Sequence, residues 1–290
     1  MPPAYSDKDP ALQAALAKAD RAVEHLKTLE TRVGKFLDRK PYRVIFDFEP
    51  ETGWHVGYLR VLEEPPVSLS VIVGEIAYQQ LSALNLLTFE LAKRHLGREP
   101  TKKDARDIQF PVAQSPDDFR SRAVIRKRLV SQDTAADFED LQPYKGLHGP
   151  KGSGQHSLPL IKEIADSDKH QDIVAGFSKV TFEGIRVEWD TEVAWGLIYE
   201  PLTPADGYLE NGTKVARVRF EVGNPQANVR VDRQPAAEIL FRTRSWSIRL
   251  RDLEYALSWT AGALDELERT LLIATLPARR PEERPWRTHY

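Results

Sequence analysis

The sequence predicts an α+β fold: a core of three or more packed long helices, an N-terminal β-hairpin, and a C-terminal antiparallel β-rich insert. Residues 10–38 and 247–276 carry apolar side chains at three- and four-residue intervals, the period of one helical face. Residues 68–92 are apolar on nearly every side, which in a protein of mixed composition marks a central core helix. Residues 173–242 switch to short runs rich in Val, Ile, Phe, Trp and Tyr with no helical period between them, the pattern of antiparallel strands joined by turns.

In chain order, Asp9 is a candidate N-cap with Pro10 at the first helical position. The helix then runs through Leu12, Leu16, Ala19, Val23, Leu26, Leu29 and Val33 and ends before Pro41. Tyr42–Phe48 and Trp54–Leu62 read as strands joined by Glu49-Pro50-Glu51-Thr52-Gly53. Glu64-Pro65-Pro66 breaks the second strand, and the core helix follows with Ser68 or Ser70 as cap and an end near Gly97. Residues 98–115 read as loop with an extended piece at 108–112. A helix is expected from Ser115-Pro116 to about Leu129, a helical turn over 133–140, and a glycine-rich loop over 145–155. A helix from Leu158 to His170 comes next. In the β-rich part the strand candidates are 173–190, 193–200, 214–222, 229–231 and 237–241, with Glu210-Asn211-Gly212-Thr213 as a hairpin turn. Together these make one α+β domain over 10–276, with 173–242 as its β-rich insert and with disordered tails at 1–9 and 277–290.

Composition excludes several functions. The 290 residues contain no cysteine, so disulfides, thiolate metal sites and cysteine nucleophiles are ruled out. The net charge of −2 supplies no global attraction to nucleic acid or anionic lipid, so such binding needs a local patch. The start MPPAYSDKDP has neither the basic residues nor the apolar core of a secretory signal. The apolar segment 68–92 carries Ser70, Gln79, Gln80, Ser82, Asn85 and Thr88, a hydrogen-bonding load that favours a protein core over a lone membrane span. A cytoplasmic location is therefore expected.

Few constellations carry chemistry. Gly149-Pro150-Lys151-Gly152-Ser153-Gly154 precedes a helix but lacks the Gly-Lys-Ser/Thr element of a phosphate loop, so it reads as a linker. The seven histidines show no metal-binding spacing; only His148, His156, Asp166 and His170 could be gathered into a set, and no metal or cofactor is expected. Asp166 and His170 lie one helical turn apart with Asp168 and Lys169 between them. A carboxylate at that distance orients a histidine and raises its basicity, which suits a general base or phosphate anchor. The bland alternative is a polar helix end whose Lys and His complement the helix dipole. Arg120, Arg122, Arg126, Lys127 and Arg128 make a basic helix, offset by Asp117, Asp118, Asp137, Glu139 and Asp140. Trp189, Trp195, Tyr199, Phe220 and Trp246 read as sheet core before a stacking platform.

The ordered segments PPVSLSVIVGEIAYQQLSALNLLTFEL, IQFPV, LQPY and LPLIKEIADSDKHQ resemble a family of uncharacterised bacterial and phage proteins. In that family the core helix reads roughly GDxxHNLRSALDHLxWxL and is followed by FPI, QPY and LxxLxxxDKHR. The resemblance covers about residues 10–175 and implies a phage or mobile-element setting. The family's Arg-x4-His element is similar in shape to the catalytic signature of HEPN-type helical ribonucleases. Here that pattern departs at the chemical positions: Leu81 stands for the arginine, Asn85 for the aspartate, Leu86 for the histidine and Tyr78 for an earlier histidine. Leucine neither moves a proton nor holds a phosphate.

These readings converge on a non-catalytic binding or interaction protein on a nuclease-like helical scaffold, with Glu75, Asn85 and Tyr144 as candidate binding residues. The alternative is a hydrolase or ribonuclease built on Asp166, Asp168, Lys169 and His170. RNA, a protein partner and a homodimer are open as partners; a membrane is not expected.

Overall fold

A computed structural model describes residues 9–145, 157–168, 173–182, 186–188, 195–204, 207–222, 228–230 and 235–275. The fold is α+β with antiparallel sheets, an N-terminal hairpin and C-terminal strands. Its elements are α1 (Pro10–Asp38), β1 (Tyr42–Glu49), β2 (Trp54–Val61), α2 (Val67–Leu96), α3 (Lys102–Asp107), α4 (Pro116–Ser121), α5 (Ala123–Arg126), α6 (Gln132–Asp140) and α7 (Ser157–Asp168). Then come β3 (Val174–Thr181), β4 (Arg186–Glu188), β5 (Trp195–Pro201), β6 (Tyr208–Leu209), β7 (Lys214–Val222), β8 (Asn228–Arg230), β9 (Ala236–Arg242), β10 (Ser247–Ile248) and α8 (Leu250–Thr275). The glycine-rich loop apart from Lys145, the 189–194 segment and both proposed tails apart from Asp9 lie outside the described residues.

The chain divides into two compact units. The first holds residues up to Val23, Ile76–Ala165 and the chain from Glu254 onward. It is helical because its apolar residues recur at helical spacing: Leu12, Ala15, Leu84, Leu87, Leu264 and Leu267 are all buried. Burying a leucine of this kind contributes about 1.5–3 kcal/mol. The expected core helices are bonded to one another here. Arg94 on α2 pairs with Asp9 and Glu90 and donates to the Leu271 carbonyl of α8 at 3.2 Å. The buried Thr260 hydroxyl of α8 lies 2.8 Å from Gln80 Oε1. Asp9 caps α1 as its sequence implies, accepting from the Ala11 N–H at 2.9 Å.

Three motifs of the sequence meet in this unit. The Asn85 side-chain oxygen accepts from the Phe110 N–H at 2.8 Å, tying α2 to the Phe-Pro-Val segment. Gln142, which is fully buried, accepts from the Ala113 N–H at 2.9 Å and donates to the carbonyls of Pro111 and Phe138 at 3.0 and 2.8 Å. Phe110 and Phe138 pack ring to ring at 5.1 Å. One buried amide thereby satisfies a bent backbone that no ladder reaches.

The second unit holds Glu24–Glu75 and Asp166–Leu253. One sheet has the order β1-β2-β7-β5, a second β10-β9-β3-β6, and β4 pairs with β8; all pairings among the described residues are antiparallel. Phe177 of β3 packs against Phe36 and Tyr42 with ring centroids 6.0 and 5.2 Å apart.

Several boundaries differ from expectation. Ser68 and Ser70 lie inside α2, which begins at Val67, and Ser70 is buried. Residues 98–115 contain a helix, α3, because Thr101 and Asp104 form a reciprocal capping box. The expected helix to Leu129 breaks at Arg122, whose ψ of 136° is extended, so Phe119 and Val124 are buried from two short helices. The turn at 210–213 exists, with Gly212 at φ +87°, but it is not a hairpin. It carries the chain from β6 in one sheet to β7 in the other, and Asn211 accepts from the Val61 N–H of β2 at 3.1 Å. Ser247–Ile248 pairs with β9, so the last helix starts at Leu250.

By length and hydropathy α2 could cross a membrane, yet 56% of its most apolar window is buried inside the protein.

Candidate functional site

Only two of the seven sequence-derived candidates contribute to one described site. Asp168, the last residue of α7, sets its carboxyl against the backbone of Gly74 in α2. A Cβ on Gly74 would stand 2.1 Å from Asp168 Oδ1 and 2.2 Å from its Cγ, so only glycine admits this approach. A mid-helix glycine costs about 0.5–1 kcal/mol relative to alanine, so its presence in α2 has a structural reason. Burial, and secondarily the neighbouring Glu75 carboxylate, raise the pKa of Asp168 above the usual carboxylate range. Glu75 Oε2 in turn lies 3.4 Å from Nδ1 of His25 on α1.

Asp168 lines a cleft of about 540 Å³ within the second unit. Its other walls are Glu64 and Pro65, the first turns of α2 at Val67, Ser70 and Val71, the run Ile173–Ala175 entering β3, and Tyr208 on β6. Glycine shapes this wall too: a Cβ on Gly176 would fall 2.2 Å from the Tyr208 ring. The Arg242 guanidinium lies over that ring, 4.2 Å from its centroid. Burial raises the Tyr208 pKa, with Arg242 opposing the rise.

The rim is apolar and open. Val67 is 78% exposed, Val71 48% and Val174 47%, an unusual concentration of uncovered branched side chains around one cavity. Chemically the cleft offers hydrocarbon walls, a tyrosine and a half-buried carboxyl, which together suit an organic cation with an apolar body.

The remaining candidates have other duties. Asn85 is spent on the Phe110 amide, and the Tyr144 hydroxyl donates to Glu139 at 3.2 Å; both lie in the first unit. Burial first, then Glu139, push the Tyr144 phenol up to about 12. Asp166 is half-buried on the last turn of α7, and Lys169 and His170 lie outside the described residues. Among the described residues no set of three or more His, Asp or Glu is placed to hold a metal ion. Of the helix 115–129 cations, Arg120 pairs with Asp117 and Arg122 with Asp118, two of the expected acids, while Lys127 pairs with Asp107, which was not among them.

Val67, Val71, Ile173, Val174 and Tyr208 are cleft residues that sequence reasoning missed. Their one local signal is Val67 and Val71, four residues apart at the start of a helix expected to be core.

Comparison with protein-family models, with curated proteins and with solved structures gives no match.

Proposed function

We propose that the chain is a non-catalytic binding protein whose ligand is an organic cation with an apolar body, either a small amine or a lysine-like side chain of a partner. The carrying observation is the Asp168 carboxyl, held against Gly74, in the wall of a cleft that is also lined by exposed Val67, Val71 and Val174. Burial and then Glu75 raise the pKa of this carboxyl, and a bound cation offsets that penalty on ionising it. The helical scaffold carries leucine at positions 81 and 86, where a nuclease of the HEPN type needs an arginine and a histidine.

The test is thermal denaturation with hexylammonium, hexanol and hexanoate as probes. Hexylammonium is expected to raise the melting temperature of the parent protein and not that of Asp168→Asn. Equal stabilisation by hexanoate, or an unchanged response in the variant, would remove the reading.

A second reading has one observation in its favour. A carboxyl with a raised pKa beside a second carboxylate is also the arrangement of a general acid. A hydrolase using Asp166, Asp168, Lys169 and His170 would lose turnover in Asp168→Asn, whereas the binding protein has no turnover to lose.

A further inference from the structure

The β1-β2-β7-β5 sheet has two unlike faces. One is apolar and carries Tyr42, Val44, Phe46, Leu59, Ala216 and Val218. The other, fixed by strand alternation, carries a band of cations with aromatic rings between them. In register across β1, β2 and β7 stand Arg43 opposite Arg60, Tyr58 opposite Lys214, Val56 opposite Arg217, with Arg219 two residues further along β7. The guanidinium groups of Arg217 and Arg219 lie 4.4 and 4.8 Å from the Trp54 ring centroid, and Lys214 Nζ lies 5.7 Å from that of Tyr58.

Part of this charge is satisfied internally. Lys214 bonds Glu49 at 2.8 Å, and Arg217 bonds Glu200 through its Nε at 2.6 Å. Arg43, Arg60 and Arg219 have no acidic partner among the described residues. Arg43 and Arg60 are direct cross-strand neighbours, an arrangement that destabilises a sheet when nothing neutralises it. Arg43 and Arg219 are exposed. The same face also carries the exposed Asp47, with Glu49 and Glu200, so its five cations, Arg43, Arg60, Lys214, Arg217 and Arg219, outnumber these three acids.

We infer that this face binds single-stranded nucleic acid. The fit is one of charge and shape. Arg43 and Arg60 sit at one end of the band and Arg219 at the other, about 20 Å away along β2, since six residues separate Arg60 from Trp54 at about 3.3 Å each. Cations so spread match successive phosphates better than a single anion. Guanidinium planes and the rings beneath them offer stacking surfaces to unpaired bases, a recognition mode that an acidic peptide cannot use. A base that displaces Arg219 from Trp54 gains the ring while the arginine turns to a phosphate.

The experiment is fluorescence anisotropy of the full chain with labelled oligouridylate of about 10 nucleotides, a length in the range of known single-strand modules. Binding is expected at low salt and should weaken as salt rises. Arg43→Gln/Arg60→Gln should lower affinity at least tenfold and flatten the salt dependence by about 1.4, or 0.7 for each lost phosphate contact. Arg219→Gln should weaken binding with a smaller change in slope. Arg120→Gln, which removes a paired cation from the other unit, and Asp168→Asn, which disables the cleft, should leave it unchanged. Unaltered melting temperatures would show that the variants fold. Absence of binding by the parent protein at low salt, retention of affinity in the double variant, or equal competition by polyglutamate would each overturn the inference.

Discussion

The carboxyl of Asp168 occupies the space that a side chain at position 74 would need, so the last residue of one helix and a glycine in the middle of another define a single feature. Neither residue explains itself alone. Gly74 weakens α2 locally, and Asp168 gives up hydration for the contact.

Replacing Gly74 by alanine should therefore destabilise the protein despite alanine's better helix propensity. Propensity gains about 1 kcal/mol, but the new methyl meets Asp168 at its Oδ1, Cγ and Cβ, all within 3 Å, and overpacking costs about 1–3 kcal/mol. A compensating Asp168→Gly change should recover most of the loss. Denaturant unfolding of the two single variants and the double variant measures the coupling, which is expected to be clearly non-additive.

The pH dependence has a definite sign. Burial and Glu75 raise the folded pKa of Asp168, so the folded protein keeps a proton at pH values where the unfolded chain has released it. The stability this contributes is full below the unfolded value of about 3.9 and is lost as pH rises through the folded value. Asp168→Asn should accordingly be more stable than the parent at neutral pH, with the difference vanishing below about pH 4. Melting curves from acid to neutral pH check this; a variant less stable at neutral pH would contradict it.

Gln142 should behave as a structural residue of the first unit. Gln142→Leu leaves the Ala113 N–H and the carbonyls of Pro111 and Phe138 without their side-chain partner, at a cost of about 1–3 kcal/mol for each group that finds no other. Asn85→Ala should cost about 1–2 kcal/mol by releasing the Phe110 amide. Neither change should alter hexylammonium binding by the folded protein, as titration of each variant below its melting temperature would show.

Much of this was legible in the sequence, and the omissions have physical causes. The long helices and the strand-rich stretch announce themselves by period, and Asp9-Pro10 by its capping chemistry. The Thr101–Asp104 box is faint in the sequence because its helix has only six residues and none of them is buried. The path from β6 to β7 is not legible in the sequence, because a glycine turn looks the same whether it folds a hairpin or changes sheets. Asp168 and Glu75 were picked out as polar residues in marked positions, yet their meeting through Gly74 is a tertiary fact. Asn85 and Tyr144 drew attention for the same polarity, but their hydrogen-bond partners occupy them structurally.

Ribonuclease chemistry independent of metal should be absent. Purified protein incubated with mixed RNA and a chelator is expected to leave it intact, since Leu81 and Leu86 supply neither a base nor a phosphate cation. The Leu81→Arg/Leu86→His variant is the companion sample. Cleavage by the parent protein, abolished by His170→Ala, would move the chemistry to the Asp166, Asp168, Lys169 and His170 set.

The most direct test of the cleft as a cation site is isothermal titration of hexylammonium into the parent protein and Asp168→Asn, repeated in buffers of different ionisation enthalpy and at several pH values. The account predicts binding by the parent that strengthens as pH rises through the raised Asp168 pKa, with proton release on binding in that range, and at least tenfold weaker binding by the variant. Binding that is indifferent to pH, or equally strong in Asp168→Asn, would contradict it.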